Sequence, residues 1–179
     1  MIFFIRLEHI DMDTYLELCR CVLNKNGYIL ELINDKINKY DYENLCIIAI
    51  EQTGYALMYV NDDILDNETY TNLCKLAMEE CGNAMKHVNI NKINDEDYYD
   101  ICNIAISEYG FALRYVVPEK INDKYFDICK KAILGFANSL KFIKDQYLSL
   151  EEYINLCKIA VAKYGFPLLF VKENIMLEQ

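Results

Sequence analysis

The chain has little of what turns, membranes and acid–base chemistry require. It holds 6 glycines and 2 prolines in 179 residues, too few for a turn-rich all-β protein, whereas a helical array needs few of either. Two histidines, His9 and His87, leave acid–base chemistry to carboxylates that read as solvated caps and loops. Basic residues are outnumbered, 18 Lys and Arg against 28 Asp and Glu for a formal charge of −10. That balance argues against a large nucleic-acid or acidic-membrane footprint, which depends on clustered cations. No apolar run approaches the ~20 residues needed to span a bilayer, and the opening MIFFI is too short for a signal-peptide core. A Gly-rich phosphate loop and a nucleophile elbow are also missing.

What the chain does have is repetition. Cys19, Cys46, Cys74, Cys102, Cys129 and Cys157 follow one another at spacings of 27, 28, 28, 27 and 28 residues. Each has a tyrosine four residues earlier: Tyr15, Tyr42, Tyr70, Tyr98, Tyr125 and Tyr153. A fixed period of this size marks an array whose units bury their apolar faces against one another. Residues 1–179 therefore read as one repeat domain, with a partial leading repeat over 1–14 and repeats beginning near 15, 42, 70, 98, 125 and 153.

Offsets are counted from each ladder cysteine. Apolar residues at −4, −1, 0, +3, +4 and often +7 form one face of an α-helix, as in Tyr98, Ile101, Cys102, Ala105, Ile106 and Tyr109. Position +3 is Ala49, Ala77, Ala105, Ala132 and Ala160, with Val22 in the first copy, and a small residue there would let a neighbouring helix approach closely. Glycine follows at +8 in Gly27, Gly54, Gly82, Gly110 and Gly165, the place for a left-handed C-terminal cap. A second apolar pattern at +10, +11, +13 and +14, such as Ala56, Leu57, Tyr59 and Val60, predicts a second, shorter helix, and Pro167 suits its first turn. Polar connections each hold one aliphatic anchor: Ile37, Ile64, Ile93, Ile121 or Ile175. Ser149 and Glu152 have the spacing of a capping box. The expected fold is all-α, an α-solenoid of about six helix-turn-helix repeats. The rival is an α/β leucine-rich-repeat-like horseshoe, since the period also suits that family and residues 57–61 could form its strand.

The string Ala49-Ile50, Gly54, Ala56-Leu57, Tyr59-Val60, repeated as Ala105-Ile106, Gly110, Ala112-Leu113, Tyr115-Val116, resembles a tandem helical-repeat family of unknown function, best known from giant DNA viruses of amoebae. The resemblance covers roughly residues 15–171 and brings no catalytic residues with it. The chain departs from the pattern in repeat 5, where Ala137 replaces the glycine and Gly135 sits two residues early, and in repeat 3, where His87 takes an aromatic position. If the chain is viral, the resemblance implies a place in the host cytoplasm or the virion.

Eight cysteines in a short chain suggest a disulfide framework. Their helical phase argues otherwise, because neighbouring helix axes lie about 8–10 Å apart and a disulfide needs Cα atoms within about 7 Å. The ladder reads as buried thiols in an intracellular protein, and the Asn67-Glu68-Thr69 sequon as incidental. The tyrosines read as packing residues whose hydroxyls reach the rim. Cys81 and His87 are the nearest thing to a metal or nucleophile pair, and Cys19 and Cys21 should face opposite sides of a helix.

Two deviations from the repeat suggest binding. At +12, three successive copies carry Lys86, Arg114 and Lys141, where other copies have Glu31, Met58 and Leu169. They form either a basic stripe for an acidic partner segment or a row paired with neighbouring carboxylates. In repeat 5, Leu134 replaces a polar residue. It is either exposed as a protein contact, or buried by a shift of the helix at the displaced Gly135. The expected function is a non-enzymatic scaffold for protein–protein interaction, without catalytic residues, cofactor, metal, nucleic acid or membrane. The alternative is a self-assembling structural component of a virion or viral factory, suggested by ends that show no polar cap.

Overall fold

A computed structural model describes residues 10–33 and 37–164. Among these residues six α-helices run in chain order: α1 (Met12–Leu23), α2 (Lys39–Gln52), α3 (Asn67–Glu80), α4 (Asp95–Glu108), α5 (Tyr125–Gly135) and α6 (Leu150–Tyr164). No strand occurs among the described residues, so the fold is all-α and the horseshoe reading is set aside. No helix among them is long and apolar enough to cross a membrane.

Every α-helix but α5 starts where the chain places a short polar side chain eight residues before the ladder cysteine. Asp11, Asn38, Asp66 and Asn94 accept the backbone N–H of Thr14, Asp41, Thr69 and Asp97 at 2.8–3.0 Å, quenching a donor that the first turn leaves orphaned. Ser149 and Glu152 form the expected reciprocal box: Glu152 accepts the Ser149 N–H at 2.8 Å, and Ser149 Oγ accepts the Glu152 N–H at 3.2 Å. In unit 5 the anchor Ile121 itself stands eight residues before the ladder cysteine, at the capping position. As a result α5 has no side-chain cap and starts only at its tyrosine, beside Asn122 at φ 45°.

In units 1 to 5, the units whose second element lies among the described residues, that element is not an α-helix. It is a six-residue 3-10 helix: Gly27–Leu32, Gly54–Tyr59, Gly82–His87, Gly110–Tyr115 and Ala137–Phe142. The pairs +10 with +13 and +11 with +14 are three apart, which is the 3-10 repeat, and a short segment satisfies its N–H groups sooner with i→i+3 bonds. Ala56 N–H donates to Thr53 O at 2.9 Å and Val60 N–H to Leu57 O at 3.2 Å. The helix-turn-helix unit is therefore an α-helix followed by a 3-10 helix.

The left-handed cap at +8 is also corrected. Each α-helix from α2 to α5 is stopped by one extended residue at +7, namely Thr53, Cys81, Tyr109 or Phe136, and none of the described glycines has a left-handed φ. Glycine is needed there because of the next unit. A Cβ on Gly27, Gly54 or Gly82 would fall 2.3–2.5 Å from the carbonyl oxygen of Ala49, Ala77 or Ala105. Unit 5 keeps its register despite Ala137, and a Cβ on Gly135 would meet nothing within 4 Å.

Packing runs from each unit to its neighbours. Each α-helix lies against the next, each six-residue 3-10 helix lies against the next, and each of these 3-10 helices also meets the α-helix that follows it. The core between the layers holds the ladder cysteines with Leu45, Ala49, Ile50, Leu57 and their equivalents. Ile37, Ile93 and Ile121 anchor the connections as expected, but in the third unit the buried anchor is Leu65, not Ile64, which is only half-buried. Leu65 holds the −9 offset shared by Ile37 and Ile93. The N-terminal part of the leading partial repeat, together with His9, Gly165, Pro167, Leu169 and Ile175, lies outside the described residues.

Candidate functional site

The tyrosine ladder works inside the fold. The phenol oxygens of Tyr42, Tyr70, Tyr98 and Tyr125 accept the backbone N–H of Asn61, Asn89, Val117 and Lys144 at 2.8–3.0 Å. Each of these tyrosines also hydrogen-bonds the ladder cysteine one turn later. The hydroxyls thus close each connection onto its own helix and do not stand at the rim. Burial pushes the thiols of Cys46, Cys74, Cys102 and Cys129 up to about 12, so they remain protonated at neutral pH. All eight cysteines are free thiols; Cys21 is exposed while Cys19 is buried, on opposite sides of α1.

The expected cations stand on the outer edge of the 3-10 layer. Lys86, Arg114 and Lys141 are exposed and occupy the same position in three successive 3-10 helices. Ring contacts run between successive 3-10 helices. The +9 ring of one unit meets the +13 ring of the next edge-on: Tyr28 with Tyr59 at 6.2 Å, Tyr55 with His87 at 6.2 Å, and Phe111 with Phe142 at 5.6 Å. Onto this seam the cations are laid. Lys86 Nζ is 5.1 Å from the Tyr55 ring, and Lys141 Nζ is 5.3 Å from Phe111 and 4.9 Å from Phe142. The Arg114 guanidinium lies 4.1 Å from the Phe142 ring, and its Nε donates to Phe111 O at 3.3 Å.

Carboxylate pairing does not account for Lys86 and Arg114. Lys86 and Arg114 form no ion pair among the described residues; both rest on rings. The ion pairs lie on other lysines: Lys75 with Asp97 at 2.6 Å, Lys120 with Asp95 at 3.2 Å, and Lys39 with Asp66. Lys92, Lys120 and Lys144 also donate to the carbonyls of Asp62, Ile93 and Val116 at 2.7 Å, tying each unit to the one before. These lysines are structural stitches, whereas Lys86 and Arg114 keep charge at the surface over an apolar, polarisable base.

Leu134 is 45% exposed, so the displaced glycine does not bury it. It takes no part in the ring seam; its carbonyl accepts a hydrogen bond from Lys163. Its near neighbour Phe136, 39% exposed, does join the seam, 5.9 Å from Phe111 and 6.1 Å from Tyr109. The structure therefore sets Lys86 on Tyr55 and, as a second group, Arg114 and Lys141 with Phe111, Phe136 and Phe142, and leaves Leu134 on α5. The rings had a signal in the sequence, aromatic residues at +9 and +13, but that signal becomes a contact only between units.

Two other places have chemistry of their own. His87 is half-buried, its Nε2 is buried without a partner, and burial followed by the Lys86 charge holds its pKa below the ordinary value. No group of three or more metal-ligating side chains forms among the described residues. A polar cavity of about 520 Å³ opens between the N-terminal ends of α3 and α4, with Glu68, Lys92 and Asp97 as its charged lining. Lys92 is committed to the Asp62 carbonyl and Asp97 to Lys75, so two of those three charges are spent within the fold. In comparisons with protein-family models, curated proteins and solved structures, nothing matches this chain.

Proposed function

We propose that the protein is a non-enzymatic α-solenoid scaffold that binds an acidic segment of a protein partner along the 3-10 edge of units 3 to 5. The single observation carrying this reading is the row Lys86, Arg114 and Lys141, exposed on successive 3-10 helices and laid on aromatic rings. A cation over a ring is pre-positioned, so less side-chain entropy is lost when a carboxylate arrives. The surrounding chain is acidic, so a local basic row selects for charge and orients an approaching partner. The likeness to viral tandem repeats fits the same reading and adds an intracellular setting.

Binding of a fluorescent oligoglutamate peptide tests it directly. The native chain should bind with an affinity that falls as salt is raised. The variant K86E/R114E/K141E should lose binding while keeping its helical circular dichroism and a cooperative melting transition. Equal binding by both proteins, or none by the native chain, overturns the proposal. Mass that rises with protein concentration in the native chain alone would favour self-assembly through this edge.

A further inference from the structure

Arg114 differs from the other cations of this edge in how it is held. Its guanidinium lies 4.1 Å from the centre of the Phe142 ring, and its Nε donates to the Phe111 carbonyl oxygen at 3.3 Å. The side chain is exposed, and its terminal amino groups make no hydrogen bond or ion pair among the described residues. A guanidinium held at two points with those groups open can take a carboxylate through two parallel N–H donors. Lys86 offers a point charge on a flexible stem instead. Apolar surface adjoins the open fork. Phe142 meets Phe111 edge-on at 5.6 Å, and Phe111 lies 5.9 Å from Phe136, which is 39% exposed. Phe136 is the extended residue that stops α5. Units 2 and 3 have Thr53 and Cys81 at that offset, so the group of rings arises where units 4 and 5 meet.

We infer that Arg114 anchors the edge at the junction of units 4 and 5, where the partner segment presents a carboxylate with an apolar side chain next to it. The acid is taken by the Arg114 fork and the apolar group lies on Phe136. The inference rests on the acidic-segment reading and goes further, by naming one anchor and a two-part motif. Each half of the motif answers a specific feature. A purely acidic segment would leave the Phe136 ring in water. A purely apolar one would cover an unpaired guanidinium, and desolvating a charge without a partner costs more than one apolar contact returns. Only the two groups together match both surfaces, and arginine with aromatic rings is the composition in which binding energy concentrates. Lys141 has a further interaction and is no part of the motif.

The test uses two fluorescent peptides of identical composition, each with a block of glutamates and one phenylalanine. The phenylalanine adjoins the acids in one and stands beyond a glycine-serine spacer in the other. Fluorescence anisotropy against the full chain should show the adjacent isomer binding about tenfold more tightly, the equivalent of one partly buried apolar side chain. R114K keeps the charge but removes the fork, and should weaken both isomers about tenfold, whereas K86Q should weaken them only about twofold. Phe136→Thr, the residue type at the same offset in unit 2, should abolish the preference between isomers; R114K, at an exposed position, keeps the test decisive if Phe136→Thr does not fold. Equal affinity for the two isomers, or an R114K chain that binds as the native one does, overturns the inference, and oligoglutamate binding would then leave the acidic-segment reading standing. If neither isomer nor oligoglutamate binds, both fall. Tighter binding of a single-stranded oligonucleotide than of either peptide also overturns the inference, since it would mark the rings as a base-stacking surface.

Discussion

Gly54 and Ala77 touch across two units: a Cβ on Gly54 would lie 2.5 Å from the Ala77 carbonyl oxygen. The two positions belong to separate ladders, glycine at +8 and a small residue at +3, and the contact explains both. A small +3 side chain lets the 3-10 helix of one unit approach the α-helix of the next. The missing Cβ lets it arrive.

Gly54→Ala should therefore destabilise by about 2 kcal/mol or more, since a backbone carbonyl cannot move aside as a side chain can. Gly135→Ala is the control. It has open space and no left-handed backbone, so alanine at the end of α5 should stabilise by about 0.5 kcal/mol through a stiffer unfolded chain. Urea denaturation of both variants checks this; equal effects would count against the steric account.

Tyr70→Phe removes one oxygen and keeps the ring. The Asn89 N–H then loses its 2.9 Å acceptor in a part-buried connection, at a cost of about 1–2 kcal/mol. The same substitution at exposed Tyr40 should change little. A melting temperature for Tyr70→Phe equal to that of the native protein would show that the hydroxyl does not close the unit.

Thiol labelling should be uneven. Cys21 is exposed and Cys81 half-buried, whereas Cys19, Cys46, Cys74, Cys102, Cys129 and Cys157 are buried. With a maleimide dye at neutral pH, Cys21 should react first, then Cys81, and the ladder only on unfolding. Prompt labelling of all eight cysteines would dismantle the packed ladder.

His87 should leave a mark on stability against pH. Its pKa is lowered from 6.5 by burial and then by Lys86, so the unfolded chain takes up the proton more readily than the folded one. The sign follows: this contribution is complete above the ordinary histidine value and is lost as pH falls below it. His87→Phe, the residue type at the same offset in unit 5, should raise the melting temperature more at pH 5 than at pH 8. A uniform rise would reflect packing alone. At still lower pH the capping carboxylates Asp11 and Glu152 come into play. Backbone N–H bonds, from Thr14 and Ser149 respectively, hold both below their ordinary values, so their contribution disappears as they protonate.

The candidate site was legible in part. The +12 cations stand out because they break a repeating pattern, and their exposure follows from the offset. Their partners were not legible, because Tyr55 reaches His87 and Lys86, and Phe111 reaches Phe142 and Lys141, only between units. Leu134 was legible as a polar-to-apolar break, and its exposure needed the structure, which shows α5 ending at Gly135 without a shift of the following 3-10 helix.

By itself the sequence determined the period, the six α-helices, the capping box of Ser149 and Glu152, and the phase of the buried tyrosines and cysteines. These are local properties, set by side-chain spacing within one helix turn or two. The tertiary structure decided what depends on the distance between units: that glycine serves close approach and not a left-handed turn, and that tyrosine hydroxyls close the connections. Those outcomes arise from contacts 19 to 28 residues apart along the chain, where excluded volume and unsatisfied N–H groups, rather than periodicity, choose the geometry.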